Sequence, residues 1–166
     1  MFRVVRIPFQ VNRSRSIVLA TATLSLLLPM TFAAQRPRAA SAPMAEDGPA
    51  FSEFKGVRIG MTMAEARKKL GNPKDKSDEQ DFYMFGDKMA AQILYKTNLV
   101  VTISIDFIDG SSEAPGPKQI IGDDLQAKPD GSMFKKVNYP KAGYWVSYNR
   151  TAGDSPSVSI TMQKID

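Results

Sequence analysis

Residues 60–73 read Gly-Met-Thr-Met-Ala-Glu-Ala-Arg-Lys-Lys-Leu-Gly-Asn-Pro, a stretch that contains the signals for both ends of one helix. Thr62 and Glu65 have the spacing of a capping box, in which the hydroxyl accepts from the N3 amide and the carboxylate accepts from the N-cap amide. Gly71 favours a left-handed cap after the last turn, and Pro73 prevents the helix from continuing. The pattern predicts a short helix between Thr62 and Gly71.

This helix has one narrow apolar face. Met63, Ala66 and Leu70 recur at i, i+3 and i+7, whereas the basic residues 67–69 lie away from that face and near the negative end of the helix dipole. Because so narrow a stripe buries little surface, a sheet must supply most of the core.

The rest of the folded region reads as antiparallel strands, in which apolar and polar residues alternate or aromatic residues are enriched. The candidate strands are residues 82–85, 89–96, 99–108, 133–139, 143–150 and 157–164. Residues 118–127 fit either one turn of helix or a loop, because Gly122 disfavours a helix. The sequence therefore predicts an α+β fold, with one short N-terminal helix, or two, packed on an antiparallel sheet of about five to six strands.

Composition divides the chain into three regions. Residues 1–33 carry four arginines and no acid and contain an apolar run, which is typical of a signal peptide. Residues 34–50 are rich in Pro and Ala without a hydrophobic period, which predicts a disordered linker. Residues 51–166 form the predicted α+β domain, with the helix and a β-meander in 51–108 and a β-rich extension or degenerate second unit in 109–166.

The leader predicts where the protein resides. Cleavage after Ala33 would release a periplasmic or secreted protein, and this is the favoured interpretation. The alternative is an uncleaved leader whose apolar run, residues 17–34, anchors the chain and provides its membrane contact.

Charge and residue usage exclude several functional classes. The net charge is +5, but residues 1–33 account for most of it and leave 18 basic against 17 acidic residues in the rest of the chain. A nucleic-acid binder carries its basic excess on the folded part, so no nucleic-acid partner is expected. The chain has no Cys and no His, which removes the usual zinc, haem and iron–sulfur ligands and every Ser-His or Cys-His nucleophile system.

Clustered acids are the remaining candidates for metal or acid–base chemistry. They are Asp75, Asp78, Glu79 and Asp81, the pair Asp109 and Glu113, and the pair Asp123 and Asp124. The first group lacks the oxygen spacing and central Gly of a calcium loop, and the pairs lie in Gly- and Pro-containing segments without a positioned partner. We interpret the first group as a solvated linker and the pairs as exposed loop residues, and expect no metal, no cofactor and no enzymatic activity.

Aromatic residues crowd one turn near the C-terminus. Tyr139, Tyr144 and Trp145 flank a Pro- and Gly-containing turn that also holds Lys141, and Tyr and Trp are favoured at recognition surfaces. These four residues are the predicted partner-binding site, with the three aromatic side chains as its exposed anchor. Since Trp145 alternates with Tyr144 in the pleat, the two side chains point to opposite faces.

A second possibility is a ligand pocket on an apolar face of the sheet. Met84, Met89 and Met133 would line it, because methionine side chains adapt to irregular ligands. An exposed aromatic patch would favour a protein partner, and a closed apolar cavity would favour a small molecule or an envelope polymer such as a lipid or glycan.

Residues 54–73, followed by an aromatic strand and by the strand containing residues 101–105, resemble the BamE-like family of small outer-membrane assembly proteins and its beta-lactamase-inhibitor-like relatives. That family shares a Gly-Met-Thr-x-x-Glu helix ending in Leu-Gly-x-Pro, then an aromatic strand and a hairpin. The likeness covers about residues 54–108. It departs from the assembly lipoproteins in lacking the Cys that anchors them.

The resemblance implies a helix-on-sheet envelope domain that binds or scaffolds other proteins without catalysis. We therefore expect a non-catalytic, exported protein-binding module of the bacterial cell envelope. A periplasmic protein that binds a small molecule or an envelope polymer is the alternative.

Overall fold

The computed structural model describes residues 48–166. It contains two helices and seven strands, namely α1 (Met63–Leu70), β1 (Asp75–Lys76), β2 (Gln80–Met84), β3 (Met89–Lys96), β4 (Leu99–Phe107), α2 (Pro117–Ile121), β5 (Met133–Tyr139), β6 (Tyr144–Arg150) and β7 (Val158–Lys164). The predicted leader and most of the predicted linker lie outside the described residues. Within residues 48–166, no helix is long and apolar enough to cross a membrane.

The strands form one antiparallel sheet in the order β1-β2-β3-β4-β7-β6-β5. Two meanders, β1 to β4 and β5 to β7, meet at its centre, where Ile105 of β4 lies opposite Ile160 of β7. A helix precedes each meander, which has four strands in the first half and three in the second. The interpretation of residues 109–166 as a degenerate second unit stays a hypothesis.

The predicted α+β class is confirmed, but the predicted strand number is wrong because the sheet has seven strands. The additional strand, β1, lies within the charged stretch whose composition predicts a solvated linker. It pairs with the start of β2, where the Lys74 amide donates to the Phe82 carbonyl at 2.8 Å. The Ser77 hydroxyl turns the chain by accepting from the Gln80 amide at 3.0 Å. Two local bonds thus order a segment whose composition is typical of a loop.

The core lies on one face of the sheet, which we call the covered face. Its strand residues alternate with mostly half-buried ones and pack with Met63 and Ala66 of α1 and with Ile120 and Ile121 of α2. Both helices therefore cover the same side, as expected for a layer of helices on an antiparallel sheet. Leu70 is partly buried against this core.

Helix α1 begins as predicted. The Glu65 carboxylate accepts from the Thr62 amide at 3.0 Å, and the Thr62 hydroxyl accepts from the Glu65 amide at 3.3 Å, which completes the capping box. The helix ends at Gly71 with φ 82°, but ψ is −154°, so the predicted left-handed cap is wrong in its second angle.

Helix α2 settles the ambiguity in residues 118–127. It starts at Pro117, where the Gln119 side chain accepts from the Gly116 amide at 3.0 Å, and it ends at Gly122 with a left-handed conformation. Gly122 therefore terminates a helix here.

Candidate partner-binding surface

The second face of the sheet, which we call the open face, carries neither of the two described helices. Strand register places its side chains in three rows that cross the sheet from β2 to β5. The rows are Gln80-Leu94-Thr102-Gln163-Trp145-Asn138, then Phe82-Gln92-Ser104-Thr161-Ser147-Lys136, then Met84-Ala90-Asp106-Ser159-Asn149-Phe134. Thr102 is buried, and the other residues of the three rows keep some exposure to solvent.

The centre of the open face is polar and built from short side chains. The Ser104 and Thr161 hydroxyls lie 3.4 Å apart across β4 and β7, and the Ser159 hydroxyl donates to the Asp106 carboxylate at 2.5 Å. These groups form a hydrogen-bonding floor in which Asp106 already has a partner. Ser147 continues the floor onto β6.

Bulkier apolar side chains stand on both sides of this floor. Phe82, Met84 and Leu94 lie on the β2–β3 side, with Met84 38% exposed. Trp145 and Phe134 lie on the β6–β5 side. The open face therefore combines a hydrogen-bonding centre with apolar flanks that include Trp145, Phe134 and Met84, and aromatic residues and methionine are enriched at protein interfaces.

Trp145 is the one aromatic residue of the predicted anchor that lies on the open face. The Lys136 ammonium lies 3.9 Å from its ring centroid, a cation–π contact across the β5–β6 pair. The prediction that Trp145 points away from Tyr144 is confirmed, since Tyr144 is buried on the covered face.

Phe134 was missed as a candidate, although it is 59% exposed. Alternation along β5 places Phe134 on the face opposite to Val137 and Tyr139. Because Val137 and Tyr139 are buried in the core, Phe134 faces solvent. Phe134 lies in the same row as Asn149, two positions along β5 from Lys136.

The predicted exposure of Tyr139 and Tyr144 is wrong. Their exposed fractions are 4% and 8%, because both point to the covered face, where their ring centroids lie 6.4 Å apart. Burial raises the pKa of each phenol above its ordinary value. Lys141 is exposed in the turn between them. The four predicted site residues are thus divided between the core, the turn and the open face.

A buried polar cluster joins α1 to the covered face. The Asp81 carboxylate accepts from Arg67 Nε at 2.9 Å, from Arg67 Nη2 at 2.8 Å, from the Tyr95 hydroxyl at 2.7 Å and from the Tyr83 hydroxyl at 3.3 Å. The interpretation of Asp81 as part of a solvated linker is therefore wrong. Strand β2 begins at Gln80 and so includes Asp81, and the pleat of the strand points the Asp81 side chain into the core.

The electrostatics of the cluster follow from its hydrogen bonds. Burial alone would raise the pKa of Asp81, but the hydrogen bonds from Arg67 and Tyr95 outweigh that effect and the pKa is lowered. Burial and the Asp81 charge raise the pKa of Tyr83 to about 12, and the pKa of Tyr95 is raised by the same causes. Since both carboxylate oxygens have donors, the cluster is a saturated structural unit.

The other acidic candidates behave as surface groups. Asp123 accepts from Lys135 at 2.7 Å, and that contact lowers its pKa. Asp124 lies 3.7 Å from Lys118 in an exposed pair. Among residues 48–166, no group of three or more acidic side chains is arranged to hold a metal ion.

No family model, curated protein or solved structure matches this chain. The BamE-like resemblance therefore stays a prediction that rests on residues 54–73 and the strands that follow them.

Among residues 48–166, open clefts lie at the ends of the strands. One, of about 290 Å³, lies beside Gly60, Lys96 and Val101, and another, of about 480 Å³, lies beside Phe85 and Met89. Met84 and Met133 line neither cleft. The predicted three-methionine pocket is wrong, because Met84 lies on the open face and Met89 on the covered face of the sheet.

Proposed function

We propose that the protein is a non-catalytic binding module that holds a protein partner on the open face of its sheet. The observation that carries this proposal is the pairing of a hydroxyl-rich floor with apolar flanks, among them Trp145 and Phe134, on a face that the described helices leave bare. A few residues supply most of the binding energy at protein interfaces, and tryptophan is enriched among them.

The charge of the open face favours a protein over an anionic polymer. Its three rows contain one cation, Lys136, and one anion, Asp106, and both are engaged within the sheet. A nucleic acid or a strongly anionic glycan would need an excess of Lys and Arg here. The proposed partner therefore presents apolar side chains to the flanks and hydrogen-bonding groups to Ser104, Thr161 and Ser147.

The cellular setting is part of the proposal. The arginine-bearing, apolar leader supports export, and the resemblance of residues 54–108 to BamE-like domains supports a place in the bacterial cell envelope. In that setting the module would bind or scaffold an envelope protein.

Site-specific photocrosslinking in the native envelope tests the proposal. A benzophenone amino acid replaces Ser147 on the open face in one sample and Lys68 on the exposed side of α1 in the control. We expect one discrete crosslinked protein from position 147 and none from position 68, and its yield should fall when Trp145→Ala and Phe134→Ser are added. Equal crosslinking from both positions, or no effect of the two substitutions, would contradict docking on the open face.

A further inference from the structure

The outer edge of β5 is the longest unpaired strand edge in the described part of the chain. Its seven residues pair on one side with β6, whereas the opposite edge of the sheet ends in the two-residue β1. In an antiparallel sheet, the backbone groups of every second edge residue point away from the neighbouring strand. Strand β5 therefore presents the amide and carbonyl of every second residue along its outer edge.

Strand β5 has a regular backbone. Its pairing with β6 runs from Met133 opposite Arg150 to Tyr139 opposite Tyr144 without a bulge, and it contains no proline. The preceding loop bonds to itself, with the Lys128 amide donating to the Ser132 carbonyl at 2.8 Å. Among residues 48–166, no loop makes a backbone hydrogen bond to residues 133–138 from the outer side.

The two lysines of β5 do not shield this edge. Charged side chains, especially lysine, commonly protect an edge strand by projecting over it. Here Lys135 is turned to the covered face, where it binds Asp123 at 2.7 Å, and Lys136 is turned to the open face, where it lies over Trp145. Both are held within the domain, so the backbone edge between them stays accessible.

We propose that β5 binds an extended, carboxylate-bearing peptide segment of a partner protein, which adds an eighth strand to the sheet. Main-chain hydrogen bonds would provide the affinity, and alternate side chains would provide the specificity, as in other strand-addition interfaces. A residue opposite Lys136 lies on the open face, where a Glu or Asp would pair with the ammonium. Its neighbours two positions away would lie beside Phe134 and Asn138.

A second copy of the chain fits this edge less well. Antiparallel self-pairing centred on Lys136 would place the two copies of Lys136 opposite each other. A register centred on Lys135 would place the two copies of Lys135 opposite each other. Like charges directly opposite in a sheet are destabilising. Both of these self-pairing registers are therefore disfavoured, whereas an acidic strand from a different protein would pair its carboxylate with Lys136.

This inference concerns the edge of the sheet, and it goes beyond docking on the open face. The probe is the peptide acetyl-Thr-Phe-Thr-Glu-Thr-Phe-Thr-amide, whose sequence reads the same in both directions and whose Glu is central. Two further versions carry N-methyl groups on the odd or on the even residues, so that each blocks one of the two sets of backbone donors. Fluorescence of Trp145, which is the single tryptophan, reports binding to the purified protein.

We expect the parent peptide to bind and one of the two N-methylated versions to lose at least about tenfold in affinity, because one set of donors faces β5. Amide exchange should slow at alternate residues of 133–139. Lys136→Glu should weaken the parent peptide at least about fivefold, and a peptide with Lys in place of Glu should regain that loss. The control Lys74→Glu, an exposed change near β1, should leave binding unchanged.

Three results would overturn strand addition. They are no binding at millimolar parent peptide, equal binding by both N-methylated versions, or exchange protection confined to open-face residues such as Ser104 and Thr161. Each of these outcomes leaves the photocrosslinking test of the open face independent, so the two proposals fail separately.

Discussion

Arg67 of α1 holds Asp81 of β2 in a two-point ion pair, with Nε 2.9 Å from one carboxylate oxygen and Nη2 2.8 Å from the other. The Asp81 side chain has no exposure, whereas that of Arg67 is 30% exposed. Arg67 also donates to the Ser77 carbonyl at 2.7 Å, which secures the turn before β2. One guanidinium thus joins the helix, the turn and the sheet.

Replacing Arg67 should lower the free energy of unfolding, because the buried Asp81 carboxylate loses its counter-ion. Arg67→Met keeps much of the apolar stem but leaves Asp81 without its counter-ion, and breaking one partner of a buried pair costs about 3–5 kcal/mol. Urea denaturation measures the loss, with Lys68→Met as the matched control on the exposed side of α1. Equal unfolding free energies for the two variants would show that the ion pair contributes nothing.

The same carboxylate should give the protein an acid-dependent component of stability. Because the folded-state pKa of Asp81 is lowered, its contribution is fully present above the unfolded value of about 3.9 and is lost as the pH falls through the folded-state pKa. Unfolding free energies measured from neutral to acidic pH should decline more steeply for the parent protein than for Asp81→Asn. Parallel curves would contradict this, since Glu65, Asp123 and Asp130, whose pKa values are also lowered, are present in both proteins.

The capping box should contribute a smaller, local component. Thr62→Ala removes the hydroxyl that accepts from the Glu65 amide, and loss of an N-cap costs about 1 kcal/mol. Thr62→Ser keeps that acceptor and should retain most of the stability. Chemical denaturation compares the three proteins, and a Ser variant as unstable as the Ala variant would mean that the methyl group of Thr62, rather than its hydroxyl, stabilises this helix start.

The sequence predicts those features that depend on neighbouring residues. The capping box is predictable because its hydrogen bonds join residues three apart in the chain. The strand from Met89 to Lys96 is predictable because its pleat makes neighbouring residues alternate between the two faces. The burial of Asp81 cannot be predicted in this way, because its hydrogen-bond donors include Arg67 and Tyr95, which are each 14 residues away in the chain. Pairing of β4 with β7 at the centre is equally non-local, and it decides that β5 becomes an edge.

The sequence predicts only part of the candidate site. Alternation places Tyr144 and Trp145 on opposite faces, but it does not say which face the helices cover. Composition favoured the tyrosines as exposed residues, whereas α2 packs over β6 on the side of Tyr144 and leaves Trp145 outside. The position of a helix more than twenty residues earlier in the chain thus separates the core residue from the surface residue.

That separation predicts opposite effects for two adjacent substitutions. Tyr144→Ala removes a buried ring and should cost about 3–5 kcal/mol, as large-to-small changes of aromatic core residues do. Trp145→Ala removes a partly exposed ring whose contact with Lys136 is worth about 0.5–1 kcal/mol, so it should cost less than Tyr144→Ala.

Partner capture should respond in the reverse order, provided that each variant is compared at a temperature where it is folded. Photocrosslinking from position 147 should fall strongly with Trp145→Ala and little with Tyr144→Phe, which keeps the buried ring and removes only its hydroxyl. Thermal unfolding of both variants provides the control for folding. If Trp145→Ala unfolds the protein while leaving the crosslinked yield per folded molecule unchanged, Trp145 is a packing residue and the open face has lost its proposed anchor.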